Sequence, residues 1–201
     1  VGRIPFSFSG IDTMSFAPHK FGGLCGSGVL LKRSRMPLEP QMHGGASTTL
    51  YRSGTPALGL AAATAFSLEL ACAGREERCA IVRRHSARLR KALSAYPAVR
   101  INSPEGAVPH ILNLSVKNVK GTVFQRALSE RGVCVSVKSA CSADGLPSRA
   151  VFAVSRDRRN ALSSWRISLS HLTTDAEIDE FLAIFDECYH EMVKQRNGVC
   201  L

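Results

Sequence analysis

The sequence lacks the features that define several specialised protein classes. None of its 7 cysteines forms a C-x-x-C pair, which would indicate a zinc or redox motif. Its 16 glycines and 9 prolines in 201 residues are too few for collagen or a low-complexity polymer. No apolar run approaches the roughly 18 to 20 residues that span a membrane. The longest candidate, residues 57–73, is interrupted by Gly59, Thr64 and Glu69. The composition therefore predicts a folded domain without a membrane helix.

The start of the sequence lacks the charged head, apolar stretch and cleavage site of a signal peptide. The first residue is Val1 and not Met, so we expect that the protein has residues upstream of it. We expect most of the cysteines to be small buried side chains in a reducing compartment. The sequence has 26 Lys and Arg against 16 Asp and Glu, a net charge of +10, which is compatible with an acidic partner. Nucleic acid is not favoured, because there is no recognition-helix motif and Trp165 is the only tryptophan.

The first 95 residues predict two short strands followed by two helices. Apolar residues indicate strands at 11–16 and 29–31, on either side of a glycine-rich turn. Pro56 suits the first turn of a helix that ends at Gly74. A second helix is predicted over about 76–95. Its apolar stripe is formed by Cys79, Val82, Leu89 and Leu93.

The remainder of the sequence alternates short β stretches with helices, which predicts a compact α+β domain. The β stretches lie at 99–101, 111–116, 134–137 and 165–169. A helix over 122–131 ends at Gly132, a residue that suits the position after a helix. The last helix begins at the capping box Thr174-Asp175-Ala176-Glu177. Its apolar stripe is formed by Ile178, Phe181, Leu182, Phe185, Cys188 or Tyr189, and Met192.

Four positions are candidates for chemistry, each with an ordinary alternative. Lys20, directly after His19, is a Schiff-base lysine or a surface lysine. Cys141 lies in a run of small and polar residues that follows an apolar stretch. In a loop of this kind it is either a nucleophile or a cysteine without a function. Arg166 interrupts a half-buried strand and needs an anion, either a bound carboxylate or an intramolecular partner. The segment Arg52-Ser53-Gly54-Thr55 precedes a helix and is either an anion-binding site or a simple N-cap of that helix.

Five segments, taken together and in order, carry a resemblance to one family. They are Ser15-Phe16-Ala17-Pro18-His19-Lys20, Gln41-Met42-His43-Gly44-Gly45, Arg52-Ser53-Gly54-Thr55, Lys138-Ser139-Ala140-Cys141 and Arg166-Ile167-Ser168-Leu169-Ser170. This combination resembles the cysteine desulfurases, which are pyridoxal-phosphate enzymes of the class V aminotransferase group. The resemblance extends over about residues 2–192.

The resemblance implies an α/β fold divided into two parts. Residues 1–95 would be the C-terminal part of the large, cofactor-binding domain of a fold type I transferase that depends on pyridoxal phosphate. Residues 96–201 would be a small α+β domain that carries the catalytic cysteine loop.

The resemblance also implies a role for each candidate residue. Lys20 would bind pyridoxal 5′-phosphate covalently and shuttle the Cα proton, with His19 as a neighbouring cofactor residue. Cys141 would take the sulfur of L-cysteine as a persulfide and release L-alanine, while Arg166 would hold the substrate carboxylate. Thr55 would reach the cofactor phosphate of the other subunit, which implies a homodimer. The protein would be cytoplasmic, a sulfur-acceptor protein would be its partner, and no metal is implied.

The sequence departs from the family pattern at several points. Ala17 stands where the family has a phosphate-contacting serine, and the turns around Leu24 and Ala46 are altered. The family chain is also considerably longer, and its first half supplies the remaining groups around the cofactor. We therefore expect that this chain alone is not a competent desulfurase. A C-terminal part, a subunit that partners a separate N-terminal chain and a degenerate relative all remain open.

Two other functions compete with a cysteine desulfurase. One is a selenocysteine lyase of the same fold. The other is a non-catalytic basic module that binds an acidic sulfur acceptor, supported by the net charge of +10 and by the cluster Arg156-Asp157-Arg158-Arg159.

Overall fold

The structure, a computed structural model, describes residues 1–45, 49–138 and 146–197, with side chains as far as Val193. It divides into two compact units, the first formed by residues 1–76 and the second beginning at Glu77. The boundary predicted between residues 95 and 96 concerns the domains of the family fold and stays a prediction.

The first unit is built from a β-hairpin and one long helix. Strands β1 (Thr13–Phe16) and β2 (Val29–Lys32) pair antiparallel, with Phe16 opposite Val29. A 3-10 helix, Pro18–Lys20, follows β1 after a single residue. Helix α1 (Leu58–Ala73) is apolar along its length and ends at Gly74, as predicted.

The second unit is a three-stranded antiparallel sheet with helices. The sheet has the order β3-β4-β5. The elements in chain order are α2 (Arg75–Leu93), β3 (Val99–Ile101), β4 (Ile111–Val116), α3 (Gly121–Ser129), α4 (Arg149–Ser155), α5 (Arg158–Ser163), β5 (Ser164–Ser168) and α6 (Asp175–Asn197). In the ranges that the structure describes, no helix is long and apolar enough to cross a membrane.

One face of this sheet forms the hydrophobic core of the second unit. Side chains alternate along a strand, so Leu112, Leu114 and Val116 of β4 all project to this face, where they are fully buried. Trp165 of β5 stacks on Phe124 of α3, with ring centroids 5.3 Å apart. Each such side chain contributes about 1.5 to 3 kcal/mol through burial. The helices add Val82, Leu89, Leu93, Leu128, Ile178, Phe181, Phe185, Cys188 and Tyr189, which confirms the predicted stripes of α2 and α6.

The capping box predicted at the start of α6 is confirmed. Thr174 Oγ1 accepts a hydrogen bond of 3.2 Å from Glu177 N, and Thr174 N donates one of 2.7 Å to Glu177 Oε2. The two residues thus satisfy each other's backbone N–H at the helix terminus. The hydrogen bonds that the Glu177 carboxylate accepts from Thr174 N and Thr174 Oγ1 lower the pKa of this carboxyl group.

Two secondary-structure expectations differ from the structure, and one further feature of the structure was not expected. Residues 134–137 form no strand, since only Ser136 pairs with a neighbour. The apolar alternation of Val133, Val135 and Val137 instead reflects packing of these side chains against the core. Helix α1 begins at Leu58, so Pro56 lies in the preceding turn and not in the helix. Two short helices, α4 and α5, were not predicted.

The expectation that most cysteines are buried is wrong for the cysteines that the structure describes. Five free cysteines lie in the described ranges, and only Cys79 and Cys188 are buried. Cys25, Cys72 and Cys134 are exposed. Burial raises the pKa of the Cys188 thiol, which therefore behaves as a small apolar side chain.

Candidate active site

An open cavity of about 900 Å³ lies on the second, more polar face of the sheet in the second unit. Strands β3, β4 and β5 contribute to its wall together with α4. None of its described lining residues is acidic. Four of them are cationic: Arg100, Lys138, Arg149 and Arg166. Arg100 also forms an ion pair with Asp157, with 3.7 Å between Nη1 and Oδ2. This charge distribution favours an anionic ligand.

Arg166 is fixed in the wall of this cavity by hydrogen bonds on both sides of β5. It stands opposite Asn113 of β4 in the antiparallel ladder. On the other side, Arg166 N donates to Ser136 O at 2.7 Å, and Ser136 N donates to Arg166 O at 3.1 Å. Its Nε donates to Ser168 Oγ at 3.1 Å. Within the described ranges no carboxylate lies within ion-pairing distance of its guanidinium. The predicted half-buried strand position of Arg166 is confirmed. Among the described residues it has no intramolecular ion-pair partner.

A ring of side-chain hydrogen bonds lies beside Arg166 on the same face of the sheet. Asn102 Nδ2 donates to Ser115 Oγ at 3.3 Å, Ser115 Oγ donates to Asn160 Oδ1, and Asn160 Nδ2 donates back to Asn102 Oδ1 at 2.8 Å. A branch leaves the ring, because Asn102 Nδ2 also donates to Asn113 Oδ1 at 2.9 Å. We call these four residues the asparagine network. It joins β4, α5 and the residue that follows β3 through hydrogen bonds between side chains.

Lys20 lies in the first unit, at the end of the 3-10 helix. Lys20 N donates to Ala17 O at 3.1 Å, and the next turn closes with Gly23 N donating to Pro18 O at 3.0 Å. A Cβ on Gly23 would lie 2.7 Å from Pro18 Cβ and 3.1 Å from Ser67 Oγ of α1, so only glycine fits there. The turn is therefore held tightly, while the side chains of Lys20 and of His19 beside it are exposed.

Thr55 is also in the first unit and does not cap α1. The residue at the N-cap of α1 is Ala57, and no side chain accepts a hydrogen bond there. The simple N-cap interpretation of this segment is therefore wrong. Thr55 is exposed, and Ser53 Oγ donates to His43 O at 3.0 Å. The hydroxyl of Thr55 makes no hydrogen bond in the described part of the chain.

Cys141 lies outside the described residues. The described residues on either side of its segment, Lys138 and Leu146, both line the cavity that contains Arg166. Arg166 and the two described residues that flank the Cys141 segment thus line one cavity. Lys20, His19 and Thr55 belong to the other unit.

Sequence reasoning missed Asn113, Asn102 and Arg149 as residues of this cavity. A signal was available for Asn113, because Asn113 and Ser115 alternate with Leu112, Leu114 and Val116 along β4. That alternation indicates a polar second face of the strand. No pattern pointed to Asn102 or Arg149. In the described ranges no group of three or more His, Cys, Asp or Glu side chains could hold a metal ion.

Comparison with known proteins defines the class to which this fold and site correspond. The model of the class V aminotransferase family matches residues 2–181. The chain therefore belongs to the class V aminotransferases, which confirms the family predicted from the sequence segments.

Individual relatives narrow the similarity to cysteine desulfurases. The chain is 34% identical over 190 residues to the IscS-like cysteine desulfurase of Mycobacterium tuberculosis, an alignment that covers 92% of this chain and 48% of that protein. It is 32% identical over 189 residues to the NifS/IcsS protein homolog of Lactobacillus delbrueckii subsp. bulgaricus, covering 92% and 49%.

Solved structures give the same result for the fold. A NifS-like protein matches with a TM-score of 0.81 and 31% identity, covering 92% of this chain and 49% of its own. The NifS-like protein from Rickettsia africae matches with a TM-score of 0.82 and 28% identity, covering 94% and 51%. The chain thus spans about half the length of the relatives that it matches.

Proposed function

We propose that this chain is the C-terminal part of a cysteine desulfurase, which converts L-cysteine to L-alanine and retains the sulfur as a persulfide on Cys141. One observation carries the proposal. Arg166 lines a positively charged cavity whose described wall also includes Lys138 and Leu146, the residues that flank the segment of Cys141. A carboxylate bound there would lie in the same cavity as the two described residues that flank the thiol-bearing segment.

In this function Arg166 holds and orients the substrate, and Cys141 accepts its sulfur. The guanidinium binds the carboxylate through paired N–H donors. The thiolate of Cys141 attacks the substrate sulfur, so that a new S–S bond forms as the substrate C–S bond breaks. The electron pair of the broken bond stays with the substrate carbon, which then takes up a proton. The products are L-alanine and the Cys141 persulfide, so one sulfur atom moves from the substrate to the protein.

The cofactor of this function would be pyridoxal 5′-phosphate, and the residues of the first unit fit part of its site. Lys20 carries an exposed amine on a tightly held turn, which suits covalent attachment to the cofactor aldehyde. His19 would lie against the cofactor, and the exposed hydroxyl of Thr55 would bind its phosphate from the second subunit of a homodimer. The cofactor supplies an electron sink for the substrate carbon skeleton. Lys20 Nζ would move the Cα proton.

A further polypeptide segment is needed to complete this site. Helix α1 has several exposed apolar side chains, including Leu58, Phe66 and Leu70. A soluble protein rarely leaves such a surface uncovered. We propose that the part of the protein not present in this chain, in cis or in trans, covers α1 and supplies the remaining cofactor contacts.

The sulfur would then pass to a sulfur-acceptor protein, for example in iron–sulfur cluster assembly. We expect this to occur in the cytoplasm, because the five described cysteines are free and three of them are exposed. A reducing compartment keeps exposed thiols in this state.

The test uses the complete protein loaded with pyridoxal phosphate. Cys141→Ala should retain the visible absorbance of the bound cofactor and lose sulfide release. Lys20→Ala should lose the cofactor absorbance. Cys134→Ala, another exposed cysteine, is the control and should retain both properties. Full sulfide release by Cys141→Ala would overturn the proposal. Measuring the mass of the native polypeptide establishes whether the missing part is in the same chain.

A further inference from the structure

Asn113 lies in the same cavity wall as Arg166 and on the same face of the sheet. The two residues are direct partners in the β4–β5 ladder. Directly paired residues of an antiparallel sheet project to one face, with Cβ atoms about 4.5 to 5.5 Å apart. A ligand bound by the Arg166 guanidinium is therefore within reach of the Asn113 carboxamide.

The asparagine network sets the orientation of that carboxamide. Asn113 Oδ1 accepts a hydrogen bond of 2.9 Å from Asn102 Nδ2, and Asn113 N donates to Ser103 Oγ at 2.9 Å. Asn160 Nδ2 in turn donates a hydrogen bond of 2.8 Å to Asn102 Oδ1 and so fixes the side chain of Asn102. The carbonyl end of Asn113 thus points into the network, and the Nδ2 end points away from it.

The Nδ2 group of Asn113 is free to bind a ligand. It donates no hydrogen bond within the described ranges, and it is not among the solvent-inaccessible polar atoms that lack a partner there. An amide N–H donor on the residue paired with Arg166, in a cavity with no acidic side chain among its described lining residues, is suited to an anion. A carboxylate has two oxygens, so that a second donor can act together with Arg166.

We propose that Asn113 is a second substrate-binding residue, which donates a hydrogen bond from Nδ2 to the substrate carboxylate held by Arg166. The assignment rests on the proposed function, since the ligand is taken to be L-cysteine. It restricts the substrate class to amino acids with a free α-carboxylate. Asn102 and Asn160 are positioning residues that act through Asn113.

The experiment uses the complete protein with its cofactor and two variants of Asn113. Asn113→Ala removes both ends of the carboxamide. Asn113→Asp has the same shape and still accepts the hydrogen bond from Asn102, but it loses the donor and adds a negative charge. The second variant keeps the experiment decisive if the first one fails to fold. Asn118→Gly is the matched control, because Asn118 has a φ of 64° that glycine readily adopts and does not line the cavity.

Three probes separate carboxylate binding from other effects. The first is L-cysteine, read as kcat and KM for sulfide release. The second is 3-mercaptopropionate, which has the carboxylate and thiol of cysteine without its amine, read as a competitive inhibitor. The third is cysteamine, which has the amine and thiol without the carboxylate, read by the change in cofactor absorbance.

We expect Asn113→Ala to raise the KM for L-cysteine and the inhibition constant of 3-mercaptopropionate by about 10- to 100-fold, the value of a hydrogen bond to a charged group. Asn113→Asp should raise both further through repulsion between like charges. Cysteamine binding should be unchanged in both variants, and Asn118→Gly should resemble the wild type throughout.

Two results would overturn the inference while the proposed function stands. One is an unchanged response of the Asn113 variants to L-cysteine and 3-mercaptopropionate. The other is an equal loss for cysteamine, which would indicate a general structural defect. If the wild-type protein releases no sulfide at all, the proposed function itself fails.

Discussion

Asn113 and Arg166 stand directly opposite each other on β4 and β5, and Ser136 pairs with Arg166 from the other side. The backbone of Arg166 is thus bound on both flanks, although residues 134–137 form no strand of their own. This arrangement fixes the point from which the guanidinium extends into the cavity. A planar, bidentate group benefits most from such fixation, because both of its donors must meet the two oxygens of one carboxylate.

Arg166→Lys should weaken substrate binding in the complete protein. Lysine keeps the charge but presents a point charge on a flexible stem in place of the planar fork. We expect the KM for L-cysteine to rise about 10- to 100-fold, with a smaller change in kcat, when sulfide release is measured. Arg83→Lys, at an exposed position of α2, should leave both constants unchanged. An unaltered KM in Arg166→Lys would show that Arg166 does not bind the carboxylate.

Gly121→Ala should destabilise the second unit. A Cβ on Gly121, the first residue of α3, would lie closer to Ser164 O than atoms can approach. Backbone must therefore move, and we expect a loss of about 1 to 3 kcal/mol in the free energy of unfolding. Trp165 is the only tryptophan and is fully buried in this unit, so its fluorescence follows the relevant transition.

The matched control for Gly121→Ala is a second glycine in a helix. Gly59 lies in α1, and a Cβ there would meet nothing within 4 Å. Gly59→Ala should therefore leave the Trp165 transition unchanged and add helical stability of about 0.5 to 1 kcal/mol to α1. Equal midpoints for Gly121→Ala and the wild type in guanidinium would contradict the close approach to Ser164.

Stability at high pH should depend on Tyr96. Burial, and then the hydrogen bond of 2.8 Å from its hydroxyl to Asp186 Oδ1, raise the pKa of Tyr96 from 10.0 to about 12. The raised value means that the folded state favours the neutral phenol. The resulting stabilisation is complete below pH 10 and is lost as the pH rises toward about 12.

The difference between wild type and Tyr96→Phe isolates this effect from other titrating groups. The free energy of unfolding of the wild type should decline more steeply than that of the variant above pH 10. Phenolate absorbance, recorded in the folded protein, gives the pKa independently. Parallel stability curves for the two proteins would contradict the prediction.

Stability at low pH should depend on the capping box of α6. The pKa of Glu177 is lowered from its ordinary value of 4.5, because its charged form accepts hydrogen bonds from Thr174 N and Thr174 Oγ1. A lowered value gives stabilisation that is present above the unfolded-state pKa and lost as the pH falls through the folded-state pKa. Glu177→Gln should remove this acid dependence.

A second variant distinguishes the cap from other effects of charge. Thr174→Ala removes the hydroxyl that caps Glu177 N and should cost about 0.5 to 2 kcal/mol at neutral pH. Glu180→Gln changes the charge of an α6 residue outside the capping box and should keep the acid dependence of the wild type. Acid melting monitored by Trp165 fluorescence compares these variants.

Local patterns were sufficient to predict the elements that contain a strong periodic or capping signal. Strands β3 and β4 lie at the predicted residues, and Thr174 with Glu177 marks the start of α6. Helices α4 and α5 were missed because 7 and 6 residues are too short to develop an apolar stripe. Their caps, Ser148 and Asp157, are common turn residues and carry little information without such a stripe.

The sequence predicted single site residues better than the relations between them. Arg166 is in a half-buried strand, as expected, and Lys20 follows the first strand of a hairpin. The cavity and the asparagine network could not be predicted from the sequence, since Asn102 and Asn160 are 58 positions apart in the chain but hydrogen-bonded in the fold. Such contacts follow from the pairing of three strands and the packing of α5, neither of which leaves a local pattern.

The pair of hydrogen bonds between Ser136 and Arg166 has a mechanical consequence. It makes Ser136 an anchor for the polypeptide that leads toward Cys141. A displacement of the Ser136 backbone would therefore act directly on the backbone of Arg166. Two backbone hydrogen bonds thus connect the proposed substrate-binding residue to the polypeptide that precedes the proposed sulfur carrier.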